Sequence, residues 1–213
     1  MYSRKPLERK VEPATTALIV VDVQNDFVSL EGAFAKRGED MAMIQEMVPR
    51  LIQLIDTARR AGVPIVYFQN SRGPWTQSEV QIERMEEVSP GVDGVITEAG
   101  SWGAEFYQGI SPREDERVTI KHRYSGFVDT ELDLVLRSRG IKTLVMTGVA
   151  TNVCVESTAR DGYMKDYRIV LVKDCCATTS KELHEATLEN IERYFGVAVS
   201  AKEVISVWEA LGK

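Results

Sequence analysis

The chain has 213 residues, enough to bury a large core in one α/β domain. Hydrophobic residues make up 44% and charged residues 27%, proportions of an ordinary globular protein, and a net charge of −6 argues against nucleic acid or an anionic membrane as partner. The apolar run Ala17–Val21 is far too short to span a bilayer, and the opening stretch Met1–Lys10 has no apolar core behind its charges, so cytoplasmic residence is expected. The three cysteines, Cys154, Cys175 and Cys176, are an odd and sparse set, which suits a reducing compartment better than a disulfide framework.

Taken in chain order, five short segments, β-branched and apolar on both faces, read as buried parallel strands: Ala17–Val23, Pro64–Asn70, Val118–Lys121, Thr143–Val149 and Arg168–Asp174. A weaker sixth is Val197–Ser200. Between the first two, Ile44, Met47, Val48, Leu51, Ile52 and Ile55 recur at helical spacing, and Ala61-Gly62 stops that helix. The stretch from Ser71 to Arg117 is irregular and holds Trp75 and Trp102, so it reads as long insertions over one rim of the sheet. Further helices are expected over Thr130–Arg139, Asn152–Lys165 and Ser180–Tyr194, the last with Ser180 as N-cap and Gly196 after its end. Alternating strands and helices predict a parallel sheet covered on both faces, and residues 1–213 read as one domain.

Ligands of such sheets bind beyond the carboxyl ends of the strands. Val20-Val21-Asp22 delivers a carboxylate there, Thr119-Ile120-Lys121 an ammonium, and Cys154 falls in the first turn of the helix after Gly148-Val149-Ala150. Taken singly, a strand-end Asp caps a turn, a strand-end Lys is solvated, and a lone Cys is a small buried hydrophobe. Three together on one rim point to a nucleophilic thiol. A helix N-terminus and an ammonium both lower a thiol's pKa, so Cys154 is expected to ionise readily. Asp22 can take the thiol proton and return it to a leaving amine, and N–H groups at the helix start can hold an oxyanion.

Only two histidines exist; His122 alternates away from Lys121 and His184 lies in the Ser180–Tyr194 helix, which disfavours a Cys–His arrangement. Cys175 and Cys176 lack metal-ligand spacing and read as packing residues.

At these residues the chain resembles the isochorismatase-like cysteine hydrolases. The resemblance is carried by the stretch from Ala17 to Phe27 (Ala-Leu-Ile-Val-Val-Asp-Val-Gln-Asn-Asp-Phe), by Lys121, and by Gly148 to Asp161. It implies a three-layer α/β/α fold with a six-stranded parallel sheet in the order 3-2-1-4-5-6. It also implies an Asp22–Lys121–Cys154 triad, an oxyanion hole from the Ala150 and Cys154 amides, and a non-proline cis peptide at Val149–Ala150. That order sets Lys121 two strands from Asp22, so its side chain has to reach inward. The Asp-x-His metal pattern of nicotinamidases is missing after the second strand, where Asn70-Ser71-Arg72-Gly73 stands, so no metal and no other cofactor is expected.

Phe68-Gln69-Asn70, Gly100-Ser101-Trp102 and Arg123-Tyr124-Ser125-Gly126-Phe127 are most similar to the ureidoacrylate amidohydrolase branch, with biuret hydrolases related. A shorter Ser71–Gly100 insertion and Asp174–Ser180 depart from that pattern. The implied reaction is metal-independent hydrolysis of a small ureide or amide through a thioester. N-carbamoyl amino acids, a nicotinamide-like amide, or the vinyl ether of isochorismate are the alternative substrates. Phe27, Gln69, Asn70, Trp102 and Tyr124 are pocket candidates, with core packing or turn capping as the competing reading for each. Arg123 either clamps a substrate carboxylate or lies at the surface. Family members are mostly oligomers, so a dimer or tetramer is expected, with Trp208 serving an interface or the core.

Overall fold

The structure, a computed structural model, describes residues 6–88 and 95–211. Met1–Lys5 of the opening stretch and residues 89–94 of the irregular segment lie outside the described residues. In chain order the elements are α1 (Leu7–Lys10), β1 (Thr16–Val21), α2 (Asn25–Val28), α3 (Ala33–Lys36), α4 (Ala42–Arg60), β2 (Ile65–Asn70), α5 (Glu79–Val88), β3 (Arg117–Lys121), α6 (Leu132–Ser138), β4 (Thr143–Val149), α7 (Glu156–Met164), β5 (Arg168–Ala177), α8 (Lys181–Asn190), β6 (Gly196–Val199) and α9 (Ala201–Leu211). The strands form one six-stranded sheet in the order β3-β2-β1-β4-β5-β6, with every pairing parallel.

Strand β1 shows why both faces must be covered. Leu18 and Val20 enter one core with Ile44, Leu51 and Leu54 of α4 and Val204 and Trp208 of α9. Ala17, Ile19 and Val21 enter the other, with Leu132 and Leu136 of α6 and Ala159 of α7. Alternation along a strand therefore feeds two layers of helices at once. Helix α4 ends as expected: Gly62, at φ +70°, lets Val63 N–H bond back to Ala58 O at 2.9 Å and its own N–H to Arg59 O at 3.2 Å, the two bonds of a Schellman turn. Trp208 is fully buried and donates Nε1–H to Val11 O at 2.8 Å, so it belongs to the core and anchors the N-terminal segment.

Four differences from the sequence reading bear on the site. Strand β5 runs on through Cys175 and Cys176 to Ala177, because its register against β4 jumps: Met146 pairs with Leu171 but Gly148 with Cys176. The helix expected over Asn152–Lys165 begins as a π-helical turn, Thr151–Val155, before α7. The helix expected from Thr130 starts at Leu132, because the Thr130 hydroxyl turns back to accept the Leu132 N–H and donate to Gly126 O. The helix expected over Ser180–Tyr194 also changes winding, with α8 ending at Asn190 and a π turn over Ile191–Phe195; Ser180 Oγ does cap it, accepting from Leu183 N–H at 3.3 Å. No helix among the described residues is long and apolar enough to cross a membrane.

Candidate active site

The carboxyl ends of β1, β2, β3 and β4 lie in register. Val21 pairs with Phe68 on one side and Gly148 on the other, and Asn70 pairs with Lys121. Just past Val21 the chain turns into the left-handed region at Asp22, φ +50°, a conformation Asp tolerates better than most residues. Opposite it, Gly148 has φ +106°, and a Cβ there would fall 2.1 Å from Val21 O. Only glycine allows β1 and β4 to approach this closely beside Asp22.

Lys121 bridges two strands to reach the same point. Its Nζ lies 2.7 Å from Asp22 Oδ2, 3.4 Å from Cys154 Sγ and 2.9 Å from Arg123 O, to which it donates. Thr119 and Lys121 are buried while Ile120 is exposed, so strand alternation turns the ammonium inward. The contact with Lys121 is a close ion pair, and the Asp22 carboxyl also accepts a hydrogen bond from the Cys154 thiol.

Cys154 sits in the π-wound turn. The Ala150 carbonyl accepts the N–H groups of Val153 and Val155 at 3.1 and 3.2 Å, on either side of Cys154. The Val149–Ala150 peptide is cis. Single π turns often occur at functional sites because they widen the backbone spacing. The turn is braced from behind: His184 Nδ1 lies 2.9 Å from Thr151 Oγ1, and the Thr178 hydroxyl donates to Asn152 Oδ1 at 2.8 Å. His122 is taken by Ser71 O at 2.6 Å. Neither histidine is hydrogen-bonded to Cys154 among the described residues.

The electrostatics correct one expectation. Cys154 does not ionise readily: burial, assisted by the neighbouring Asp22 charge, pushes its thiol up to about 12 despite Lys121. Burial likewise holds the Asp22 carboxyl above its ordinary 3.8, because the desolvation outweighs the Lys121 ammonium. For Lys121 the balance runs the other way; burial opposes its charge, but Asp22 and then Cys154 outweigh it, and its pKa is raised. The resting cluster is therefore a thiol beside the Asp22–Lys121 pair, with an aspartate more basic than usual. Cys175 and Cys176 are buried and their thiols pushed up by desolvation, in keeping with packing roles.

The pocket candidates separate. Phe27 packs edge-on against Phe34, with ring centroids 5.1 Å apart, inside the core. Asn70 is buried on the face of Lys121, and its Oδ1 accepts from the Thr97 hydroxyl at 2.7 Å. Gln69 donates to Ala104 O at 2.9 Å and so serves the rim loop. Trp102 and Tyr124 are half exposed on the rim. Arg123 Nη1 is held by Thr76 O and His122 O, each at 2.9 Å.

Three residues that sequence reasoning passed over fix that rim. The fully buried Gln24 amide donates to Asn70 O and Ala104 O and accepts the Asn70 N–H, tying β1, β2 and the Trp102–Ala104 turn together. Asn25 donates to Trp102 O at 2.9 Å. Asp26 accepts the N–H groups of Ala33 and Thr97. The signal was present in the polar run Gln24-Asn25-Asp26 directly after a strand-end Asp.

A parallel sheet that brings a thiol, a carboxylate and an ammonium together beyond its central strands defines a cysteine-hydrolase arrangement. The isochorismatase domain model matches residues 16–203, so the chain belongs to the isochorismatase family. Ureidoacrylate amidohydrolase of Methylobacterium radiotolerans is 38% identical over 205 residues, covering 90% of this chain and 79% of the relative. A cysteine hydrolase structure from Pseudomonas syringae pv. phaseolicola superimposes with a TM-score of 0.82 at 29% identity, covering 95% of this chain and 96% of that one. N-carbamoylsarcosine amidase from Thermoplasma acidophilum does so with a TM-score of 0.71 at 30% identity, covering 88% and 96% respectively.

Proposed function

We propose that this chain is a metal-independent cysteine amidohydrolase that cleaves the C–N bond of a small ureide through a thioester on Cys154. The observation that carries this reading is the buried Lys121 ammonium, in contact with Asp22 and Cys154 together. Asp22, as the more basic carboxylate, takes the Sγ proton while the sulfur attacks the ureido carbonyl. Lys121 keeps the negative charge tolerable as it passes between carboxylate and sulfur. The tetrahedral oxyanion rests on the Ala150 and Cys154 amides. Asp22 returns the proton to the leaving amine, then deprotonates the water that hydrolyses the carbamoyl thioester. Carbamate leaves and decays to carbon dioxide and ammonia.

The ureide preference is supported by the relatives named for ureidoacrylate and N-carbamoylsarcosine, compounds that both carry a carbamoyl group on nitrogen. A homo-oligomer acting on a small molecule, with no nucleic acid or membrane partner, completes the proposal. The test is ammonia release from ureidoacrylate, biuret, N-carbamoyl amino acids and nicotinamide, in excess chelator. Turnover of a ureide ahead of nicotinamide is expected. Nicotinamide preferred tenfold over every ureide, or activity recovered only on adding a transition metal, contradicts it.

A further inference from the structure

Just beyond Asn70 the chain places Arg72, whose backbone is pinned on both sides: its N–H bonds to Thr97 O at 3.0 Å and its carbonyl accepts from Ala99 N–H at 2.8 Å. The side chain is half-buried and lines a cavity of about 200 Å³ together with Val80, Arg84, Met85, Arg123 and Tyr124. Among the described residues its side-chain hydrogen bond runs from Nη1 to Met85 Sδ at 3.3 Å, and a thioether is a weak acceptor. Arg84 is neutralised by Glu87 at 2.9 Å. Arg123 is met by two neutral carbonyls. Among the described residues neither Arg72 nor Arg123 has a carboxylate partner. Two half-buried guanidinium groups that line one small cavity, neither paired directly with a carboxylate among the described residues, favour an arriving anion.

The cavity lies next to the reacting groups along the chain, since Arg72 stands two residues past Asn70, which pairs with Lys121. The Arg123 carbonyl holds Lys121 Nζ, and the charge of Arg72 is felt at Asp22, where it favours the carboxylate. Val80, Met85 and Tyr124 offer apolar surface for a short hydrocarbon spacer.

Resting on the ureide reading above, we infer that Arg72, backed by Arg123, forms a carboxylate-binding subsite beside the triad and selects ureides that carry an acid group over neutral ones. The guanidinium fork matches a carboxylate in plane and spacing. The uncharged spacer of the substrate crosses the apolar part of the cavity and leaves the ureido carbonyl at Cys154.

Steady-state kinetics on ureidoacrylate and its methyl ester test this. Wild type is expected to favour the acid by about tenfold or more in kcat/KM, the scale of a charge-assisted hydrogen bond. Arg72→Gln should raise KM for the acid and bring the acid-to-ester ratio close to one, while Arg72→Lys keeps part of the preference. A ratio that persists in the Arg72→Gln/Arg123→Gln double variant, or equal losses on acid and ester, overturns the subsite. Calorimetric binding of 3-ureidopropionate and its methyl ester to the Cys154→Ala protein separates this inference from the ureide reading. If wild type hydrolyses neither ureide, the ureide reading fails. Tighter binding of the acid that depends on Arg72 still supports the subsite, and equal binding of acid and ester refutes it.

Discussion

Lys121 Nζ lies 2.7 Å from Asp22 Oδ2, and both side chains are completely buried. A buried pair of this kind contributes little net stability, yet removing one partner strands the other's charge. Lys121→Met is therefore expected to destabilise the fold by about 3–5 kcal/mol in urea denaturation and to abolish turnover. The double variant Asp22→Asn/Lys121→Met should recover part of that stability and none of the activity. A single variant as stable as wild type would show that Asp22 is not a buried carboxylate.

The pH profile follows from the same cluster. Asp22 must be ionised to accept the thiol proton, and its carboxyl is held above 3.8, so kcat/KM should rise along an acid limb centred above that value. The thiol is pushed up to about 12 and Lys121 is raised above 10.5, so no limb is expected at the ordinary thiol value of 9.0. Activity that rises with a pKa near 9.0 would mean that the thiolate forms by simple titration. Stability should respond on the alkaline side. All three thiols have folded values above 9.0, so the folded chain holds those protons more tightly than the unfolded one. That stabilisation is whole below 9.0 and is lost as pH rises from there through the folded values. A urea midpoint falling steadily above pH 9.0 is the expected result, and a midpoint that rises there would reverse the sign.

Thiol chemistry gives a second check on the corrected electrostatics. Alkylation at neutral pH should reach Cys154 first, because it alone of the three has Lys121 in contact and Asp22 to take its proton. It should be slower than alkylation of an exposed cysteine, because the resting sulfur is protonated. Peptide mass spectrometry after brief iodoacetamide treatment reads both points. Prior labelling of Cys175 or Cys176, or labelling of Cys154 at the rate of a fully ionised thiol, would count against the cluster as described.

Much of this arrangement was legible in the sequence because the signals were local. Asp22, Lys121 and Cys154 each follow an apolar strand, and strand ends of a parallel sheet share one rim. The strand order and the inward reach of Lys121 came from family resemblance, and the buried face of Thr119 and Lys121 supplies the physical reason. Helix α5 left no periodic signal because none of its residues is buried. The continuation of β5 through Cys175 and Cys176 was hidden by the polar Lys173-Asp174 pair and by a register jump that only the partner strand reveals. The pKa of Cys154 was misjudged because a helix start and a lysine are visible in sequence, whereas complete burial is not. Arg72 was passed over because an arginine after a strand usually reaches solvent; only the cavity, with no carboxylate paired directly to it among the described residues, singles it out.

The most direct test of the nucleophile is ammonia release by Cys154→Ala on whichever ureide the wild-type protein turns over fastest, with circular dichroism confirming that the fold is retained. A thiol attacking the carbonyl predicts loss of about 10⁴-fold or more, since neither Asp22 nor Lys121 can supply the covalent step. Activity within tenfold of wild type in the folded alanine variant would contradict the thioester mechanism and leave Asp22 activating water as the chemistry of this site.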